Sequence, residues 1–334
     1  MKRICALFLG LTVAAASLSG CGAQGQETTQ QTFPDATAIV LSDDGVTVDG
    51  EAASTDETAA VYTAHDIVYY EDGHDFTYGE GTAADAHTAE EAEAHTVVHI
   101  TQPGTYALSG TLSAGQIAVD LGEDAEEDPE AVVTLILNGV DITCTVAPAV
   151  IFYSVYECGS DDESTATYDV DTSAAGANVI IADGSENSFT GSYVARIYEE
   201  GTTDKLHKYD GAFYSKMTMN VSGEAEGTGV LNISGENEGL DTEMHLTING
   251  GVINIEAAND GINTNEDNVS VTTINGGTLT IDAGLGAEGD GIDSNGWLVI
   301  NGDTVFASAC AAGGDSGIDA TLEIIINGGT VMAL

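Results

Sequence analysis

The sequence predicts an all-β chain built as a single-stranded parallel β-helix, a solenoid with about 26 residues per coil in its C-terminal part. Three observations carry this. Asn249, Asn275, Asn301 and Asn327 recur at intervals of 26 residues. Each follows an isoleucine (Ile248, Ile274, Ile300, Ile326), and three of them lead into Gly-Gly, the other into Gly302-Asp303. Upstream, Gly239-Leu240-Asp241-Thr242, Gly261-Ile262-Asn263-Thr264, Gly291-Ile292-Asp293-Ser294 and Gly317-Ile318-Asp319-Ala320 repeat one tetrapeptide. Apolar residues four and six positions after each Asn, from Ile253 and Ile255 to Val331 and Ala333, read as strand, and Gly-Gly reads as turn. Glycine density and the lack of a 3.6-residue period exclude a helical repeat.

The chain opens with an address. Lys2 and Arg3 precede an apolar run, Ile4 to Ala16, too short to span a bilayer. Leu18-Ser19-Gly20-Cys21 looks like a bacterial lipobox. Residues 1–20 are therefore expected to be a lipoprotein signal peptide, with Cys21 the lipidated residue on the extracellular side of the membrane. Residues 21–37 read as a flexible tether. Residues 38–95 are acidic and read as a cap on the first coil. They hold strand-like pieces at Ala60–Tyr62 and Ile67–Tyr70, and an Ala/Glu-rich stretch, Ala83–His95, that suggests one short helix. Strands are expected at Val97–Ile100, Gly104–Gly110 and Val132–Leu137. Residues 96–334 form the expected β-helix. In its second C-terminal copy the Asn follows the tetrapeptide by four extra residues, which places an insertion near Glu266–Val269. The last residues, Val331–Leu334, lie inside a strand, so further coils are expected beyond them.

Charge narrows the partners. Six Lys and Arg face 55 Asp and Glu in 334 residues, a formal net charge of −49. Nucleic acid is excluded as a partner, since its phosphates need cations. The membrane is met through the lipid anchor only. Hard metal cations, which take oxygen ligands, suit the composition. Stacking puts Glu238, Asp260 and Asp290 in one column and Asp293 and Asp319 in another. At a strand spacing of ~4.8 Å two like charges repel by roughly 0.9 kcal/mol in water and ~3.5 kcal/mol at an effective dielectric of 20. Bound cations reverse that sign. The candidate ligands for calcium are Glu238, Asp241, Asp260, Asn263, Asp290, Asp293, Asp315 and Asp319; the alternative is that these acids are simply solvated.

After the signal peptide only Arg196, Lys205, Lys208 and Lys216 are basic, all within 21 residues. Lys216 holds the phase of Glu243, Asn265 and Asn295 in later coils. Arg196, Lys208 and Lys216, with Tyr214, are the candidate ligand-binding residues, for a carboxylate and a sugar ring. The alternative is pairing with neighbouring acids such as Asp210. Cys144, Cys158 and Cys310 show no zinc spacing; a Cys144–Cys158 disulfide and buried free thiols both fit.

Several motifs then fall in a familiar order: Thr101-Gln102-Pro103-Gly104-Thr105-Tyr106, Leu137-Asn138-Gly139-Val140-Asp141, Asp183-Gly184-Ser185-Glu186-Asn187, Asp210-Gly211-Ala212 with Ser215-Lys216, and the repeated Asp-Gly-Ile and Asn-Gly-Gly. Together they resemble a family of secreted bacterial carbohydrate-binding proteins with a right-handed parallel β-helix, similar in fold to pectate lyases. The resemblance spans residues 96–334. It implies binding of acidic plant polysaccharide such as polygalacturonate, and of cellulose, with calcium bound along the helix. The expected protein is a monomeric, non-catalytic surface binder. A polysaccharide lyase on the same scaffold, or an adhesin-like spacer, are the competing functions.

Overall fold

Alternating apolar residues and glycine turns send the chain back to the same three parallel ladders once per repeat. The computed structural model describes residues 31–71, 81–198, 205–310 and 315–334, which fall in one unit, Gln31–Leu334. Its regular elements are nearly all strands, with one α-helix of five residues among those described. Lipidation at Cys21 lies outside the described residues.

The first ladder carries the Asp-Gly tetrapeptides. It runs from Thr96–Ile100 through Gly115–Asp120, Val150–Ser154, Gly211–Ser215, Glu238–Thr242 and Ile262–Thr264 to Ile292–Ser294, all parallel. Val61–Ala64 ends it, antiparallel to Thr96–Ile100. The second ladder stacks Ala177–Ile181, Met219–Gly223, Leu246–Ile248, Val271–Ile274, Trp297–Ile300 and Glu323–Ile326. The third stacks Glu186–Gly191, Val230–Gly235, Val252–Ala257, Thr278–Asp282, Thr304–Ser308 and Thr330–Ala333. The long strand Val133–Thr143 pairs into both the second and the third. Thr37–Leu41 joins in parallel through Gly104–Leu112.

The inward columns form one apolar core. Leu240, Ile262 and Ile292 come from the first ladder, Ile248, Ile274 and Ile300 from the second, and Ile253, Leu279 and Val305 from the third. Each fully buried Leu or Ile contributes roughly 1.5–3 kcal/mol relative to exposure. Ile326, in the last strand of the second ladder, is exposed.

The turns explain the glycines. Gly251, Gly277 and Gly329, the second glycine of each Gly-Gly, have φ of +95°, +99° and +86°. The remaining copy puts Asp303 there at +60°, a conformation Asp tolerates better than most side chains. The Asp303 carboxylate then accepts the Gly277 N–H at 2.8 Å. At the turn start the asparagines form a side-chain ladder. Asn275 donates to Asn249 (2.9 Å), Asn301 to Asn275 (2.8 Å) and Asn327 to Asn301 (2.7 Å). The four-residue insertion is a turn, closed by the Val269 N–H on the Glu266 carbonyl at 3.2 Å.

The tetrapeptide glycines serve close approach. A Cβ on Gly261 would sit 2.2 Å from Ile281 Cγ2 and 2.6 Å from the Gly291 carbonyl oxygen. Backbone cannot step aside as a side-chain tip can. Gly261→Ala is expected to cost roughly 1–3 kcal/mol, read as a lower urea midpoint. An unchanged midpoint would contradict this packing.

Two local expectations are corrected. Ala83–His95 is not one helix: only Ala89–Glu93 is helical, because Thr88 caps it in extended backbone (ψ 156°) with Glu91 completing a capping box. Ile67–Tyr70 is not a strand. Its buried residues, Ile67 and Tyr70, are three apart rather than alternating, and Tyr70 packs on Gly81. Cys144 and Cys158 are free thiols, with Cys144 buried.

Candidate functional site

Register decides which acids meet. Tyr214, Asp241, Asn263 and Asp293 are direct neighbours in the first ladder. Glu238 lies three residues before Asp241 on the strand Glu238–Thr242, whose five residues are all buried. Asp210 precedes the strand Gly211–Ser215. Asp210, Glu238 and Asp241 thus converge, each offering a carboxylate oxygen within 4.8 Å of the others.

This cluster is short of hydrogens. Asn263 Nδ2 donates to Glu238 Oε1 (3.2 Å), and Asn265 Nδ2 donates to Asp241 Oδ1 (2.7 Å). The remaining oxygens, Glu238 Oε2, Asp241 Oδ2 and Asn263 Oδ1, are buried without a hydrogen-bond partner. An unsatisfied buried polar atom costs about 1–3 kcal/mol, and more when charged. Lys208 supplies one positive charge, 2.8 Å from Asp210 Oδ2. Burial lowers the affinity of Lys208 for its proton, but the carboxylates, Asp210 foremost, outweigh that and hold it above the usual lysine range. Burial and the neighbouring carboxylates push both Glu238 and Asp241 above the usual acid range.

A second cluster sits further along the same ladder. Asp290, Asp293 and Asp319 also bring carboxylate oxygens within 4.8 Å of one another; Asp290 and Asp293 are half-buried and Asp319 is exposed. Burial, then Asp290 and Asp319, push Asp293 up to about 6. Between the clusters, Asp260 accepts the Asp290 N–H at 2.6 Å, and burial pushes it up to about 7. Asp290 in turn accepts the Ser316 N–H, and Asp315 accepts that of Gly289 at 3.2 Å.

Beside the first cluster lies an open groove of about 600 Å³. Lys208, Lys216, Tyr209, Tyr214, Glu243 and Glu266 help to line it. Lys216 is exposed and makes no ion pair with a described residue. Tyr153, Tyr209 and Tyr214 form an aromatic chain beneath, with ring centroids 5.5 and 5.4 Å apart.

The family sequence pattern described as carbohydrate-binding domain-containing protein matches residues 94–333. The chain belongs to this carbohydrate-binding domain family. A carbohydrate-binding domain-containing protein of Acetivibrio thermocellus is 31% identical over 161 residues, covering 48% of this chain and 45% of the relative. The match thus spans less than half of that relative's length. The polysaccharide lyase-like protein from C. thermocellum, solved as a gadolinium derivative, superposes with a TM-score of 0.48 at 23% identity, covering 89% of this chain and 93% of that one.

Of the oxygen-bearing residues singled out in this carbohydrate-binding domain, Glu238, Asp241 and the amide of Asn263 come together in the buried cluster, and Asp290, Asp293 and Asp319 in the other. Asp260 and Asp315 lie between neighbouring repeats with an oxygen on a backbone N–H. Sequence reasoning passes over Asp210 as a member of this cluster. Its signal was the Asp210-Gly211 dipeptide, displaced because Gly211, not Asp210, stands opposite Glu238. Lys208 and Lys216 share the groove, and Lys208 also has the acidic neighbour offered as its alternative. Tyr214 is 1% exposed and its hydroxyl donates to Glu243, so its ring is no open stacking surface. Arg196 lies on the strand Val194–Tyr198, with its side chain outside the described residues.

Proposed function

We propose that this chain is a cell-surface lipoprotein, anchored at Cys21, that binds acidic plant polysaccharide such as polygalacturonate with calcium as its resident ion. In this reading the three ladders wind as a right-handed parallel β-helix, and the segment before residue 96 caps it. The observation that carries the reading is the set of three buried oxygens on Glu238, Asp241 and Asn263 that no hydrogen satisfies. An all-oxygen donor set with excess negative charge suits calcium. Asp210, Glu238, Asp241 and Asn263 would hold one ion, and Asp290, Asp293 and Asp319 another. When bound, calcium supplies the positive charge that these carboxylates lack.

The protein's own residues then orient the glycan. Lys216 offers its ammonium to a uronate carboxylate from an exposed position. Glu157 takes no part, since its carboxylate accepts the Thr218 N–H and hydroxyl, both at 2.6 Å. Glu243 accepts the Tyr214 hydroxyl, which fixes the side chain beside Lys216. The groove still carries more acids than bases, so a polyanion approaches it only with a bridging cation.

Affinity electrophoresis through gels containing polygalacturonate and calcium tests this. Lys216→Ala is expected to weaken retardation about tenfold, the worth of one charge-assisted contact. Unchanged retardation would remove Lys216 from the site. Incubation with the same polymer is expected to give no rise in ultraviolet absorbance; a rise from unsaturated products would make the protein a lyase.

A further inference from the structure

Five of the chain's seven histidines fall between residues 65 and 99. Imidazole is the side chain whose ordinary charge change lies between pH 5 and 8. Among these, His95 is buried, with 2% exposure. It follows the helix Ala89–Glu93 and ties it to the connection between Thr143 and Val150. Its Nδ1 lies 2.9 Å from the Glu91 carbonyl oxygen. Its Nε2 lies 3.1 Å from the Thr145 backbone nitrogen and 3.3 Å from the Thr145 hydroxyl. A carbonyl only accepts and a backbone N–H only donates. Nδ1 therefore carries a proton and Nε2 carries none. One neutral tautomer makes both bonds. Protonation places a second N–H on Nε2, facing the Thr145 N–H donor to donor.

The surroundings offer an imidazolium little. Burial holds His95 below the ordinary histidine range against the pull of the Glu91 carbonyl, and His87 adds a like charge. Glu90, Glu91 and Glu93 on its own helix are exposed, and the Glu91 carboxylate accepts the Thr88 N–H and hydroxyl at 2.8 and 3.0 Å. The connection across the joint brings the Cys144 thiol, which burial pushes up to about 12, with Glu236 beyond it. From the facing turn His65 donates through Nδ1 to the His95 carbonyl at 2.8 Å. The next residue, Asp66, lies 2.8 Å from His99 Nε2.

Two attachments of this segment thus answer acid differently. The strand Val61–Ala64 is held by four residue pairs to Thr96–Ile100, and Tyr62 stacks on the His99 ring with centroids 4.4 Å apart. Protonated His99 donates to the Asp66 carboxylate, so that attachment survives. The helix Ala89–Glu93 buries only Ala92 of its five residues. Little apolar surface holds it down, and the two His95 bonds carry its seat. We propose that His95 is an acid-released clasp: its protonation frees the helix Ala89–Glu93 from the connection at Thr145 while the strand Val61–Ala64 stays paired. The clasp makes access to the first coil a function of pH, and it rests on neither the glycan nor the ion of the proposed function.

Amide hydrogen exchange of the full chain between pH 7.5 and 5, read peptide by peptide and corrected for the intrinsic rate, tests this. A global midpoint would not, because His245 also accepts a backbone N–H, that of Val271, and is lowered by burial. A neutral histidine lowered in the folded state stabilises fully above pH 6.5 and progressively less below it. Opening at residues 88–96 and 143–149 is therefore expected to be constant above pH 6.5. Below it, opening is expected to rise about tenfold per pH unit until the folded value of His95 is reached. Exchange at Val61–Ala64 and at Val252–Ala257 is expected to stay unchanged. His95→Gln keeps a neutral donor and acceptor and is expected to abolish the slope. His95→Ala is expected to open the helix at every pH. A flat wild-type profile at 88–96 would overturn the clasp. So would the same slope in His95→Gln, slow exchange at 88–96 in His95→Ala, or a slope shared by all peptides.

Discussion

Asp241→Asn is expected to raise the thermal midpoint in the presence of a chelator and to lower it in the presence of calcium. Without an ion the native state must bury Asp241 beside Glu238 and Asp210, with one oxygen unpartnered. Two such charges within 4.8 Å repel by on the order of 3 kcal/mol at an effective dielectric of 20. Asparagine keeps the shape and removes the charge, and its N–H can donate to a neighbouring carboxylate. With an ion bound, the same substitution deletes a charged ligand. Calcium at a hundred times its dissociation constant stabilises the wild type by about 2.7 kcal/mol. For a domain of this size that is a shift on the order of 5 °C. The substitution should forfeit most of that shift, so the two proteins exchange rank between chelator and calcium. A variant less stable than wild type in both conditions would mean that Asp241 is a purely structural acid.

The second large effect is a reversed pH dependence. In chelator, stability is expected to fall as pH rises above 6.5, and in calcium it is expected to hold or increase. Asp260 is pushed up to about 7 from 3.8, by burial first and then by like charges. A raised carboxylate binds its proton more tightly in the folded state. Its contribution is complete below the unfolded value and is lost as pH rises through the folded one. Glu238 and Asp241 are raised by the same causes and act in the same direction. His245 opposes them at lower pH. Burial holds it neutral down to about 4, so it favours the folded state increasingly as pH rises toward its ordinary 6.5. Acids held low by backbone N–H groups, such as Asp43 and Asp183, titrate in the acid range. The window from pH 6.5 to about 7.5 therefore isolates the raised carboxylates. Calcium needs them ionised, which turns the slope over. Urea midpoints at the two ends of that window, with and without chelator, check the sign. A chelated protein that gains stability across it would contradict the buried-acid account.

The readable features are those in which one side chain recurs at one phase. The asparagines are equal in phase, and each amide meets the next amide. The isoleucines beside them fall on the inward face for the same reason. Glycine at the second Gly-Gly position and in the tetrapeptide was visible as a repeat, and the structure supplies the reasons: left-handed backbone at Gly277 and a 2.6 Å approach of the Gly291 carbonyl at Gly261. What escaped breaks the period. Asp210 sits one residue out of phase, so column-counting passed over it. Tyr214 takes the place that Asp241 holds in the next strand, yet its ring is buried under a hydroxyl bond to Glu243. The segment 168–173, whose Thr172 hydroxyl lies 2.7 Å from that of Thr247, belongs to a long connection with no repeat. That it folds back onto Thr247 depends on Thr172, which no pattern singles out.

The central claim joins a calcium-holding acidic ladder to polysaccharide binding. Retention of the mature protein on insoluble polygalacturonate, first with calcium and then with EGTA, tests it most directly. The account predicts retention in calcium and release on chelation, because a groove with more acids than bases cannot hold a polyanion unaided. Equal retention in both conditions, or none in either, would contradict it.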